Sequence, residues 1–122
     1  MFLIDNDGKI TISRGDDSGR VPLFINAGSN HSPIRYELKE GETVYLGVYL
    51  PNSCFEKSII KKSYSNQDIN EDGDVIVTFD PDDTVNLFPG SYYYEIKAKL
   101  YVNNSNKLEV NTIIPATLFE VI

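Results

Sequence analysis

The chain has no tryptophan, one cysteine, one histidine and one methionine. Each scarcity removes a class of function. Cys54 alone allows no intrachain disulfide, which excludes a disulfide-stapled secreted scaffold. One His and one Cys do not make a structural zinc site, which wants four nitrogen or sulfur ligands. His31 lies in the polar loop Gly28-Ser29-Asn30-His31-Ser32-Pro33, and no nucleophile motif accompanies it, so a Ser–His–acid triad has no support. Basic residues are also few. The 11 Lys and Arg face 18 Asp and Glu, giving a net charge of -7, so we expect no nucleic acid partner. No apolar run reaches membrane-spanning length, so we expect no membrane span. Met1-Phe2-Leu3-Ile4-Asp5 turns polar without any basic residue, and we expect no signal peptide.

What the chain has is alternation. Apolar residues make up 41% of it, enough for a core. Over 91–102, Tyr92, Tyr94, Ile96, Ala98, Leu100 and Val102 fall on one face, and Tyr93, Glu95, Lys97, Lys99 and Tyr101 on the other. That period of two is a long strand with one dry face. Val44, Leu46, Val48 and Leu50 repeat it, as do Val75, Val77 and Phe79, then Leu108, Val110 and Thr112. Ile10 and Ile12 show it briefly, and Phe119 and Val121 near the last residues. Turn signals separate the runs: Asp7-Gly8, Glu40-Gly41, Asp72-Gly73, Pro89-Gly90 and Asn103-Asn104-Ser105-Asn106, the last read as a hairpin turn. No helical period persists. The expectation is one domain over 1–122: an all-β, Ig-like antiparallel β-sandwich of about seven to nine strands.

One short helical turn is expected near 80–86. Asp80 suits the cap, Pro81 the first helical position, and Asp82 and Asp83 the positive helix end. It leads to Leu87-Phe88-Pro89-Gly90-Ser91-Tyr92. A Tyr just after such a corner resembles the tyrosine corner of Ig-like sandwiches, where the phenol bonds to backbone upstream. Asp80, Thr84, Gly90 and Tyr92 are therefore assigned to a structural corner.

Asp68-Ile69-Asn70-Glu71-Asp72-Gly73-Asp74 matches the first half of a calcium loop, with oxygens at positions one, three and five and Gly at six. Phe79 stands where the closing bidentate Glu belongs. Asp68, Asn70 and Asp72 are the metal candidates, and an acidic turn leading into a strand is the reading preferred. No cofactor and no catalytic residue are expected.

The chain holds eight Tyr. Tyr45, Tyr49, Tyr93 and Tyr101 alternate away from the dry faces. Exposed Tyr supplies large contact area at small entropic cost, so these four are the candidate interaction surface. High strand propensity alone also accounts for them.

The ordered signals resemble a family. Arg14-Gly15-Asp16 is followed by Leu38-Lys39-Glu40-Gly41-Glu42-Thr43-Val44, then Phe79-Asp80-Pro81-Asp82-Asp83-Thr84, Leu87-Phe88-Pro89-Gly90-Ser91-Tyr92-Tyr93-Tyr94-Glu95-Ile96 and Phe119-Glu120-Val121. This looks like the small Ig-like β-sandwich virion proteins of tailed phages and prophages of Gram-positive bacteria. It is similar to the N-terminal domain of phage baseplate upper proteins. The resemblance implies a non-enzymatic structural module of a tail or baseplate, made in the bacterial cytoplasm and ending in the virion. Its partners would be other virion proteins, with a homo-oligomer as one form. The alternative is a carbohydrate- or cell-surface-binding module that uses the exposed tyrosines as sugar platforms.

Overall fold

In the computed structural model, residues 1–103 and 105–122 are described. Eight strands form: β1 (Phe2–Ile4), β2 (Ile10–Ile12), β3 (Val21–Leu23), β4 (Thr43–Tyr49), β5 (Ile60–Tyr64), β6 (Val75–Val77), β7 (Gly90–Tyr101) and β8 (Leu108–Val121). One sheet has six strands in the order β1-β2-β8-β7-β4-β5, and β3 pairs with β6 in a second. The fold is all-β. Among the described residues one α-helix forms, the four-residue α1 (Pro81–Thr84), within the span expected for a helical turn.

The alternation explains the core. Tyr92, Tyr94, Ile96 and Ala98 of β7 are buried, as are Val44, Leu46 and Val48 of β4 and Val75 and Val77 of β6. They join Ile10, Ile12, Phe79, Phe119 and Val121 in one cluster. Phe79 stacks on Phe119 with ring centroids 5.3 Å apart. Completely burying such a ring contributes roughly 1.5–3 kcal/mol.

Three features depart from the expected pattern. First, β2 runs parallel to β8, with Ile10 opposite Phe119 and Ile12 opposite Val121, while every other strand pairing is antiparallel. A hairpin fixes the direction of adjacent strands; β2 and β8 are far apart in the chain, so none constrains them. Second, Leu50 is exposed, because β4 ends at Tyr49 and the chain turns at Leu50. Third, Val110 is 59% exposed. It pairs with Lys99 on the outward side of β7, because the two register shifts between Tyr94 and Lys97 sum to two residues and keep the even-numbered positions of β8 facing out.

The β7–β8 connection carries Asn103 at φ 42, a left-handed conformation that Asn tolerates. The Val102 amide bonds the Lys107 carbonyl at 2.9 Å. The expected hairpin turn includes Asn104, which lies outside the described residues.

Candidate interaction surface

Cross-strand pairing sets the outer face of the large sheet. Tyr45 lies opposite Lys97, Gly47 opposite Glu95, and Tyr49 opposite Tyr93. On the other flank of β4, Tyr45 lies opposite Ser63 and Gly47 opposite Lys61. The four expected tyrosines do share this face, but they are not equally available.

Tyr49 is buried, at 6% exposure, which corrects its assignment to an exposed contact surface. The connection after β4 folds back over the outer face. Its 3-10 turn (Phe55–Lys57) sets the Phe55 ring against Gly47, where any added Cβ would collide with that ring and with Ser58 Oγ. The Tyr49 ring lies 6.3 Å from Tyr93, and its hydroxyl donates to Glu95 Oε1 at 2.5 Å. Burial, reinforced by the Glu95 bond, pushes the Tyr49 phenol up to about 12. Tyr45 and Tyr93 remain half-buried with surface to offer.

Tyr101 is also half-buried and partly committed. Its ring covers Gly41, whose φ of +91 leaves no room for a side chain under the phenol. Its amide donates to Glu42 Oε2 at 2.8 Å. Glu42 was given no role from the sequence, yet it is 1% exposed. Tyr36 Oη donates to the same oxygen at 2.6 Å, and the Lys39 amide to Oε1 at 2.8 Å. Three donors compensate a carboxylate that burial would otherwise penalise. Burial, followed by the Glu42 bond, raises the Tyr36 phenol to about 12. The one sequence signal was a charged residue between a Gly turn and a strand, which is too common to single out.

The corner residues serve the frame. Tyr92 Oη donates to the Phe88 carbonyl at 2.7 Å, four residues upstream. The Asp80 amide donates to Asp83 Oδ2 at 2.7 Å, and Lys62 Nζ lies 2.6 Å from Asp83, fastening α1 to β5. Thr84, fully buried, accepts the Gly15 amide. Gly90 opens β7 opposite Val121.

The half calcium loop is held together by its own bonds. Asp68 accepts the Ser65 amide at 2.8 Å. Asn70 Oδ1 accepts the amides of Asp72 and Asp74, each at 3.0 Å. Arg20 lies beside the loop, and Arg35 Nε is 2.8 Å from Asp74 Oδ1. Among the described residues, no three His, Cys, Asp or Glu side chains gather as a metal site. His31 and Cys54 are exposed on separate loops. No helix among the described residues is long and apolar enough to cross a membrane.

Two further features were not anticipated. A cleft of about 400 Å³ crosses the outer face between Tyr45 and Phe55, flanked by Lys61 and Lys97. And β8 meets β2 only over Phe119–Val121, so Leu108–Ile114 pairs with β7 alone among the described residues. Glu109, Val110, Asn111 and Thr112 along that edge are exposed. Both features depend on which strands lie side by side, which periodicity does not state. Comparison with protein families, with curated proteins and with solved structures finds no match to the chain.

Proposed function

We propose that the chain is a non-enzymatic building block of a phage or prophage particle, at its tail or baseplate, working through protein–protein contacts. The observation that carries this reading is the unpaired edge of β8. Sheet edges left open are templates for another strand, and proteins normally blunt them with charge, Pro or bulges. The bulges of β8 lie beyond Thr112; over Leu108–Thr112 the pairing to β7 is regular, the only charged residue is Glu109 and there is no Pro. Five residues suffice for an added strand of ordinary length. The added main-chain bonds would supply affinity, and exposed Val110 and Leu118 apolar surface nearby.

The chemistry elsewhere favours contact over catalysis. The two phenol–carboxylate pairs, Tyr49–Glu95 and Tyr36–Glu42, have phenols pushed up to about 12. A nucleophile or base needs the opposite displacement, toward neutrality. The resemblance of the motif order to that of baseplate proteins points to a particle, and the open edge would be the means of contact.

Light scattering over a concentration series tests the reading, with a second copy as the strand donor. The expected result is a mass that rises with concentration, slowed amide exchange over 108–112, and loss of both in Thr112→Pro. A single-copy mass at every concentration with fast exchange over 108–112 sinks it.

A further inference from the structure

The outer cleft has a chemistry of its own. Its walls are the rings of Tyr45 and Phe55 and its floor is the backbone at Gly47. Phe55 is locked in place, since it lies on a residue with no side chain and Ser58 Oγ bonds its carbonyl at 2.6 Å. The floor strand, β4, is paired on both sides, with β5 and with β7. It therefore has no main-chain donors or acceptors left for a peptide strand. What the cleft offers instead is ring faces, the hydroxyl of Tyr45 and two ammonium groups.

Those ammonium groups are unspent. Among the described residues, Lys61 and Lys97 make no ion pair, whereas Lys62 is taken by Asp83. Lys97 Nζ sits 5.0 Å from the centre of the Phe55 ring, a contact that orients the amine without neutralising it. Two acids lie nearby. Glu95 accepts the Tyr49 phenol. Glu56 lines the cleft itself, and its own amide, then Cys54 and Lys97, hold its carboxyl below the usual range, so the two ammonium groups outnumber one anion in the lining. The net charge of the chain is screened beyond about 8 Å at physiological salt, so the local pair decides what is attracted.

We propose that this cleft binds an acidic glycan, a sugar ring carrying a carboxylate or phosphate, with the ring against Tyr45 and Phe55 and the anion between Lys61 and Lys97. Sugar C–H faces pack on aromatic rings, and an anion between two amines gains charge-assisted hydrogen bonds. The site lies on the sheet face and borders the β8 edge at Val110, but the contacts proposed for it, with Tyr45, Phe55, Lys61 and Lys97, do not require strand addition there.

An amide-resolved NMR titration tests it, with four probes: oligogalacturonate, a glycerol-phosphate oligomer, a neutral cello-oligosaccharide and oligoglutamate. The expected result is saturable shifts at Tyr45, Gly47, Phe55, Lys61 and Lys97 with one or both anionic glycans, and which one responds identifies carboxylate or phosphate. Lys61→Gln and Lys97→Gln, surface changes that leave the fold intact, should each weaken binding roughly tenfold. No saturation with either anionic glycan overturns the proposal. So does equal binding of the neutral sugar, equal binding of oligoglutamate, or affinity unchanged in both lysine variants.

Discussion

Thr84 Oγ1 accepts the Gly15 amide at 2.9 Å and thereby joins α1 to the turn after β2. Thr84 is fully buried, so water cannot replace it. Thr84→Val keeps the shape and removes the acceptor. Leaving one amide unpaired should lower stability by about 1–3 kcal/mol, read as an earlier denaturation midpoint at unchanged slope. Thr84→Ser should recover most of the loss.

Glu42→Gln is expected to be more damaging than its size suggests. An amide offers one acceptor oxygen, but the Lys39 amide approaches Oε1 while Tyr36 and the Tyr101 amide approach Oε2. In either orientation a donor meets the new NH2 group. A stability loss of about 3 kcal/mol is expected by urea unfolding. A loss under about 1 kcal/mol would mean that the site relaxes around the amide.

Alkaline titration should separate the tyrosines. The phenols of Tyr36 and Tyr49 lie at about 12 in the folded protein, above the ordinary value of 10.0. A raised folded value means that the neutral phenol is preferred in the native state. Their contribution is fully present below pH 10 and is lost as pH climbs toward 12. Ultraviolet difference spectra should show late-titrating phenols, with stability falling across the same window. Tyr49→Phe should remove part of the late amplitude.

Gly47→Ala tests whether Phe55 needs the bare backbone beneath it. The new Cβ would come within 2.8 Å of the Phe55 ring and collide with Ser58 Oγ. Phe55 must lift, at a cost of about 1–3 kcal/mol. Chemical shifts of Phe55, Ser58 and Lys97 should move together. Unchanged stability with unmoved shifts would contradict this packing.

The parts legible from sequence were those set by period and by local turn chemistry. The dry face of β7, the turn at Pro81–Thr84 and the Tyr92 hydroxyl bond to Phe88 needed only spacing and residue type. The illegible parts depend on distant pairing. Tyr49 alternates like an exposed residue, but the segment around Phe55 covers it. Val110 alternates with Leu108 and Thr112 like a core residue, but its pairing with Lys99 sets that row on the outward side of the sheet. The cleft arises because Lys61, Gly47 and Lys97 come from three strands whose order the chain does not state.

The parallel pairing of β2 with β8 bears on biosynthesis. Ile10 is made early and must wait for Phe119 before its ladder can close. Contacts so distant in the chain slow folding, since loop-closure entropy is lost before any contact offsets it. On the ribosome, the β1–β2 hairpin stays undocked with Ile10 and Ile12 bare until the final strand emerges from the exit tunnel.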